Sequence, residues 1–241
     1  MNTIHMTFQG KGGVGKSWAA AVQAQYLLDK GTAVLAIDTD PVNATLAAYK
    51  RFEAHRIRLL SNGAIDTSAF DTMVELALGH DGDVVVDNGA SSFVALGNYL
   101  VENPVISIFE DSGRSVVIHT VIAGGSMLAE TLDGFVQTTK SMPESVKIVV
   151  WLNEHFGPIA DGDGKGFEDF PVYKKLKDRI AGLITLPKRT EETYGRDLQT
   201  MIERRVTFAE AREDVDGFKL MARQRLATVQ KDIYAKLDAV M

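Results

Sequence analysis

The chain has 241 residues and a formal net charge of −6, from 26 Lys and Arg against 32 Asp and Glu. Because 45% of its residues are hydrophobic and 24% are charged, its composition is that of a folded globular protein and excludes global disorder. It contains no cysteine, which excludes disulfides, iron–sulfur ligands and cysteine nucleophiles. No apolar run approaches the roughly 18 residues of a membrane-spanning helix, and no signal-like segment opens the sequence, so we expect a cytoplasmic protein.

Apolar, β-branched runs alternate with helical periodicity along most of the chain. Strands are predicted over 3–8, 33–37, 84–87, 105–109, 116–122, 146–152 and 180–186, and helices over 16–30, 70–78, 92–101, 127–139 and 172–179. Gly31 is the predicted end of the first helix. This alternation predicts an α/β fold, a mostly parallel sheet with helices on both faces, and we expect residues 1–241 to form a single domain.

The sequence after residue 190 is helical, and its last helix carries an apolar stripe: Phe218, Leu226, Val229, Ile233 and Leu237. We expect this helix to pack on the sheet rather than on a membrane, since Asp232 and Asp238 weaken any attraction to anionic lipid. The same region holds a group of arginines, interpreted as a solvated helix face with ion pairs: Arg204, Arg205, Arg212, Arg223 and Arg225.

The segment 154–171 is the one long loop-like region and is rich in Gly and Asp. Residues 161–166 faintly resemble a calcium loop, but Lys165 stands where an oxygen ligand belongs and Val172 where the bidentate Glu belongs. We therefore interpret 161–166 as a polar surface loop, and the length of the segment favours mobility or a functional role.

A phosphate-binding motif follows the first predicted strand and opens the first predicted helix. Its glycines let backbone N–H groups surround a polyphosphate, its lysine reaches the β- and γ-phosphates, and its serine hydroxyl binds Mg²⁺. The pattern G-x-x-x-x-G-K-[ST] is matched by Gly10, Lys11, Gly12, Gly13, Val14, Gly15, Lys16 and Ser17. The sequence therefore predicts a P-loop nucleotide-binding protein with a three-layer P-loop NTPase fold.

Two predicted strands end in carboxylates at the edge of the sheet where ligands bind in open α/β folds. Asp87 closes the run 84–87, as a Walker B aspartate that holds Mg²⁺ does. Asp38 and Asp40 follow the strand over 33–37. Each alone is as typical of a turn as of a catalytic site, but beside a P-loop we interpret Asp40 and Asp87 as functional.

Lys11 makes the motif more specific, because K-G-G-x-G-K-[ST] is the deviant Walker A motif of the ParA/MinD family. The resemblance covers nearly the whole chain. Residues 38–45 resemble the family's D-x-D-P-Q-G-N-A-T switch I segment with one residue fewer. Asn153 resembles the asparagine that reads adenine, and Pro187 the proline that borders the base. The resemblance is strongest to the TraL subgroup of plasmid conjugal-transfer proteins, including at 87–93, 151–153 and 191–197.

This resemblance implies an ATP- and Mg²⁺-dependent homodimer in which Lys11 reaches the ATP phosphates of the partner protomer. Asp40 would position or activate the attacking water, and Asp38 would act on Mg²⁺ through water. Hydrolysis would loosen the dimer, so the nucleotide would time the binding of partners, expected here to be conjugal-transfer proteins. Contact with DNA, or recruitment to the inner membrane face or the transfer apparatus, stays open.

Two positions depart from the family pattern. Asp87 is followed by Asn88-Gly89-Ala90 rather than Thr-Pro-Pro, so switch II has a more flexible backbone, and its coupling to partners is not carried over. Trp18 follows the P-loop where many relatives have threonine, and we include it among the nucleotide-binding residues. We expect this tryptophan to pack under the sheet, the alternative being a fluorescent reporter of nucleotide binding.

Several rival functions share this architecture. A P-loop enzyme that phosphorylates or activates a small metabolite, similar to cobyrinate amidase or dethiobiotin synthetase, is one alternative, and a plasmid-partition or membrane-positioning ATPase is another. A GTPase is disfavoured because the chain has no Asn-Lys-x-Asp motif. The net charge argues against constitutive DNA coating, and His119, in an apolar strand, is most simply a core residue.

Overall fold

A parallel sheet forms the centre of the molecule in the computed structural model, which describes residues 2–61 and 63–241. Its strands are β1 (Thr3–Thr7), β2 (Val34–Asp38), β3 (His55–Arg56), β6 (Asp83–Asp87), β7 (Ser115–Ala123), β8 (Lys147–Asn153) and β9 (Ile180–Leu186). The strands β4 (Leu60–Ser61) and β5 (Ala64–Ile65) form a separate antiparallel pair. The order across the sheet is β3-β2-β6-β1-β7-β8-β9. Every neighbouring pair is parallel, which explains the Val- and Ile-rich, uncharged strand interiors.

Helices cover both faces of this sheet. They are α1 (Lys16–Asp29), α2 (Ala69–Gly79), α3 (Phe93–Glu102), α4 (Val105–Asp111), α5 (Leu128–Ser141), α6 (Pro171–Leu176), α7 (Arg196–Glu203), α8 (Phe208–Glu213) and α9 (Leu220–Asp238). Gly31, with a φ of 81°, follows α1 as predicted. None of the helices in the described parts of the chain is both long and apolar enough to span a bilayer.

Alternate residues of each strand point into two separate cores. On one face, Ile4, Met6 and Phe8 pack with side chains from α2, α3, α4 and α5. On the other face, Val85, Val121 and Trp151 pack under α1, α7, α8 and α9. This three-layer arrangement confirms the predicted fold class.

The register of the sheet places the predicted site residues side by side. Asp38 at the end of β2 pairs directly with Asp87 at the end of β6. Farther along, Asn153 of β8 pairs with Leu186 of β9, which precedes Pro187. The carboxyl edge of the sheet therefore brings together residues that lie far apart in sequence.

The strand predicted over 105–109 is wrong, because these residues form α4. Val105, Ile106 and Phe109 are buried while the two residues between them are exposed, a spacing that fits a helix face and not a strand. The other predicted strands and helices are present with shifts of one to three residues at their ends. The short strands β3, β4 and β5 were not predicted.

The last helix packs on the sheet, as expected from its sequence. Leu226, Val229, Ile233 and Leu237 are buried in the second core, together with Phe218 just before the helix. Its charged residues pair with the body of the protein: the Lys236 ammonium donates to the Thr185 carbonyl, and the Asp238 carboxylate accepts from the Tyr26 hydroxyl.

The arginines near the C-terminus lie largely in ion pairs and backbone contacts, in agreement with the predicted solvated helix face. Arg204 pairs with Asp214 and Arg225 with Asp197, each at 2.6 Å. Arg223 donates to the carbonyl of Arg212, and Arg205 to that of Ile202.

The segment 154–171 is only partly a loop. Residues 161–166 are exposed, and the Asp161 carboxylate accepts from the backbone N–H groups of Asp163 and Lys165, so this part is the polar surface turn that was predicted. Phe167 and Phe170, by contrast, are buried, and Phe167 packs edge-on against Phe135 of α5. Among the described residues no group of three or more His, Asp or Glu side chains could hold a metal ion.

Candidate nucleotide-binding site

The predicted phosphate-binding motif forms a glycine-rich turn between β1 and α1. Gly13 and Gly15 have φ angles of 75° and 103°, a region that favours glycine. Gly10, Gly12 and Gly13 are exposed, so the backbone of the turn is open to a ligand. Because α1 begins at Lys16, the positive end of its dipole faces the same turn.

Lys16 lies buried at the base of this turn, only 7% exposed. Its ammonium donates to the Lys11 carbonyl at 2.8 Å. Burial lowers the pKa of Lys16, and the nearby carboxylates of Asp87 and Asp40 oppose that shift. A cation in this position, poorly solvated and close to open backbone N–H groups, suits a phosphate.

Asp87 is a fully buried carboxyl group of the site. Its Oδ1 accepts from the Thr7 hydroxyl at 3.0 Å, whereas its Oδ2 is buried and has no hydrogen-bond partner. Burial raises its pKa to about 7, against the opposing effects of Ser17, Thr7 and Lys16. A buried carboxylate oxygen without a partner, beside the P-loop serine, fits a cation held directly or through water.

Asp38 and Asp40 organise the loop that follows β2. Both oxygens of Asp38 accept backbone N–H groups, from Asp40 at 3.0 Å and Ala47 at 2.9 Å. Burial raises the pKa of Asp38, and these hydrogen bonds oppose the rise. Asp40 Oδ1 accepts from the backbone N–H groups of Val42 and Asn43. The other carboxylate oxygen of Asp40 takes part in neither of these hydrogen bonds.

Gly89, two residues after the end of β6, lies against Asp40. A Cβ at Gly89 would stand 2.6 Å from Asp40 Cγ, so only glycine lets the carboxylate approach this closely. The departure from the family's Thr-Pro-Pro pattern therefore has a local reason in this chain, because the glycine makes room for Asp40.

Lys11 lies at the rim of the turn with its side chain 34% exposed. Its ammonium forms an ion pair at 2.6 Å with Glu130 in the first turn of α5. Glu130 was not identified from the sequence, since it is distant along the chain and belongs to no motif.

A cavity of 690 Å³ opens beside the P-loop. Asn153, Leu186 and Pro187 line it, as do Trp18 and Gly15. The Asn153 amide donates to the Val14 carbonyl at 3.0 Å, and its carbonyl oxygen accepts from the His155 N–H at 3.1 Å. Trp18 packs edge-on against Phe208, in agreement with the predicted packing role, and also borders the cavity.

The structure thus brings the sequence-predicted residues to one edge of the sheet in two groups. The group around the glycine-rich turn consists of Lys11, Lys16, Ser17, Asp38, Asp40 and Asp87. Trp18, Asn153 and Pro187 line the cavity, and the Val14 carbonyl accepts from Asn153. His119 does not belong to the site. It is buried in the sheet between His5 and Trp151, in agreement with the core role predicted for it.

Comparisons with known proteins agree with this geometry. Residues 5–215 match the family described as the CobQ/CobB/MinD/ParA nucleotide binding domain. The chain is 46% identical over 239 residues to a protein of Escherichia coli named TraL, covering 99% of this chain and 98% of that one. The predicted resemblance to the ParA/MinD family and its TraL subgroup is therefore confirmed.

Two solved structures share the fold. The MinD cell division protein of Aquifex aeolicus superposes with a TM-score of 0.51 at 17% identity, covering 98% of each chain. A putative plasmid partition protein of Borrelia burgdorferi bound to AMPPNP gives 0.50 at 19% identity, covering 98% of this chain and 100% of that one.

Proposed function

The chain belongs to the CobQ/CobB/MinD/ParA nucleotide-binding family, and from this premise we propose that it is an ATP-hydrolysing switch protein. It binds ATP with Mg²⁺, dimerises while ATP is bound, and regulates or positions a step of plasmid conjugal DNA transfer. The observation that carries the proposal is the meeting of Lys16, Asp87 and Asp40 around an open glycine-rich turn at one sheet edge.

Each residue of the phosphate side has a proposed role. Lys16 exchanges the Lys11 carbonyl for the β- and γ-phosphates, which are stronger partners for an ammonium. Ser17 and Asp87 would hold Mg²⁺, and Asp38, each of whose oxygens accepts a backbone N–H group, would act on it through water. When bound, Mg²⁺ neutralises negative charge on the phosphates.

Asp40 orients the water that attacks the γ-phosphate. Its position is fixed by two backbone N–H groups and by contact with Gly89, so its second oxygen is available to accept from that water. Lys11 supplies positive charge to the phosphates of the partner protomer, in the manner of an arginine finger.

The cavity beside the P-loop accommodates the base and the ribose. Pro187 and Trp18 line the cavity with apolar surface, and Asn153 lines it with polar atoms. The absence of an Asn-Lys-x-Asp motif from the sequence favours adenine over guanine. The link to conjugation depends on the similarity to TraL alone.

The enzymatic part is tested by ATP turnover of three variants. Lys16→Ala is expected to lose ATP binding, because the buried cation at the phosphates is removed. Asp40→Ala is expected to keep ATP binding and to lose turnover by about 10²-fold or more, the usual cost of losing a group that positions or activates the attacking water. Asp163→Ala, in the exposed turn, is the matched control. Unchanged turnover in the first two variants contradicts the mechanism.

The cellular part is tested by capturing partners from cells that carry a conjugative plasmid. Tagged Asp40→Ala protein loaded with ATP is expected to retain conjugal-transfer proteins that the same protein loaded with ADP does not retain. Equal capture in both nucleotide states contradicts a switch.

A further inference from the structure

Two charged side chains of its own protomer contact Lys11. Its ammonium pairs with Glu130 at 2.6 Å, and its backbone carbonyl accepts from the Lys16 ammonium at 2.8 Å. Both contacts lie within one chain, whereas the proposed function sends the Lys11 ammonium across to a partner protomer. The Glu130 pair therefore has to break before Lys11 acts in that way.

The position of Glu130 is set by a buried glutamine at the start of the phosphate-binding turn. Gln9 is fully buried, and its amide donates to the carbonyls of Val121 in β7 and Thr131 in α5, at 2.9 and 3.0 Å. Its side-chain oxygen accepts the backbone N–H of Lys11 at 3.2 Å. One side chain thus joins the backbone of Lys11 to that of Thr131, the residue next to Glu130.

The close approach of α5 to Gln9 needs a glycine. A Cβ at Gly134 would lie 2.0 Å from the Gln9 side-chain oxygen. Because Gly134 stands one helical turn after Glu130, it lets the first turn of α5 lie directly against the P-loop. The Lys11–Glu130 pair is therefore the product of a buried packing arrangement and not of two long side chains that meet by chance on the surface.

We propose that Glu130 is a positioning residue that holds the Lys11 ammonium in its own protomer and so sets how readily the ATP-bound protein dimerises. This inference rests on the proposed function, because it concerns the step in which Lys11 is delivered to a partner. Phosphate binding draws the Lys16 ammonium from the Lys11 carbonyl and removes one contact. The Glu130 pair is the contact that holds the Lys11 ammonium itself, and docking of the second protomer breaks it.

The strength of this contact suits a reversible hold. Glu130 is 61% exposed and Lys11 34% exposed, so water screens the pair, and an exposed ion pair of this kind changes an equilibrium by about 1.4- to 5-fold. Two protomers lose the pair when a dimer forms. Removing it therefore tightens the dimer by the square of that factor, about 2- to 25-fold in the dissociation constant.

The test is the dimer dissociation constant of Glu130→Gln, measured by sedimentation with Mg²⁺ and AMPPNP, an ATP analogue that resists hydrolysis. Asp133→Asn is the matched control, since Asp133 is an exposed carboxylate on the same helix. We expect a dimer about 2- to 25-fold tighter for Glu130→Gln and no change for Asp133→Asn, with both variants melting close to the unmodified protein. An unchanged or weaker dimer of Glu130→Gln overturns the proposal.

A second readout follows the pair without dimerisation. Acylation of lysine amines, mapped by mass spectrometry on protein without nucleotide, is expected to modify Lys11 faster in Glu130→Gln than in the unmodified protein. Lys140, exposed on the same helix, is expected to react equally in both. Equal labelling of Lys11 overturns the proposal even where the dimer forms. An unmodified protein that stays monomeric with AMPPNP overturns the proposed function, and with it this inference.

Discussion

Asp40 and Gly89 lie close together at the proposed catalytic edge. The carboxylate lies where a Cβ at Gly89 would be 2.6 Å from Asp40 Cγ and 2.7 Å from Oδ1. Backbone N–H groups fix the carboxylate from the other side. Because the effect of a water-orienting group on the rate depends on its position, we expect the residue at position 89 to affect turnover through Asp40.

Gly89→Ala is expected to lower ATP turnover by about 10- to 100-fold while ATP binding changes little, because the added methyl group displaces Asp40 but not the P-loop. Gly97→Ala is the control, since a Cβ there meets Phe8 at an ordinary 3.6 Å. Turnover and equilibrium binding of ATP are measured on both variants. Full turnover in Gly89→Ala would show that the position of Asp40 does not limit the reaction.

His5 and His119 form a neutral, buried pair in the sheet. Their ring nitrogens lie 3.1 Å apart, and the Trp151 indole donates to His119 at 3.0 Å. Burial lowers the pKa of His5 to about 3, and burial together with His5 lowers the pKa of His119 well below its ordinary value. In the unfolded chain these histidines take up protons near pH 6.5, so acid favours unfolding between pH 6.5 and the lowered values.

Between pH 7 and pH 5 we expect His5 alone to remove about 2 kcal/mol from the free energy of unfolding. His5→Gln is less stable at pH 7, but its stability should fall less over this range, whereas the exposed His55→Gln should follow the unmodified protein. Urea unfolding at pH 5, 6 and 7 measures the free energy of unfolding of each protein. The contribution of other titrating groups, such as Asp87, cancels when each variant is compared with the unmodified protein. A pH dependence of His5→Gln equal to that of the unmodified protein contradicts the buried, neutral state.

Among the elements, α5 and β7 are joined to the P-loop through the buried side chain of Gln9. Gln9 bonds to β7 and α5, and Gly134 provides the space for its side-chain oxygen. The glycine in the middle of a helix costs some stability by itself, and that cost is offset by the three hydrogen bonds that Gln9 makes there.

Gly134→Ala is expected to destabilise the protein by about 1–3 kcal/mol, since a methyl group 2.0 Å from a buried oxygen forces α5 or Gln9 to move. Gly79→Ala in α2 is the matched control: a Cβ there meets nothing within 4 Å, so the helix should keep or gain stability. Thermal or urea unfolding compares the two. If the two variants are equally stable, α5 adjusts to the added methyl group at residue 134 without loss of stability, and the prediction is wrong.

Most of the strands could be predicted from the sequence, because parallel strands that are buried on both faces form continuous apolar runs. The prediction failed at 105–109, where a five-residue run rich in β-branched residues is too short to distinguish a buried strand from a helix face. The structure resolves the ambiguity through tertiary packing, which buries Val105, Ile106 and Phe109 together. The two-residue strands β3, β4 and β5 carry too little pattern to predict.

The phosphate side of the site was predictable because its chemistry is contiguous. Eight consecutive residues form the turn, and Asp38 and Asp87 could be placed by the rule that parallel strands end at one edge. Glu130, Gln9 and Gly134 act through pairings across more than a hundred residues, and neither their spacing nor their residue types indicate a partner. Such contacts become visible only once the fold is known.

In the whole molecule, the loops that we expect to respond to the bound nucleotide lie at one edge of the sheet. The P-loop, the loop after Asp38 and the turn after Asp87 meet there, with Lys11 at the rim. The apolar stripe of α9 is buried elsewhere, against the sheet. A second copy that docks on this edge would cover the phosphate side, so nucleotide state and oligomeric state are expected to change together.

Sedimentation velocity of the Asp40→Ala protein, with Mg²⁺ and either ATP or ADP, measures most directly whether the nucleotide controls dimerisation. We expect a monomer of 26.3 kDa with ADP and a dimer with ATP, and we expect Lys11→Ala, added to this protein, to abolish the ATP-dependent dimer. A monomer in both nucleotides, or a dimer that forms equally well without the Lys11 side chain, would contradict this expectation.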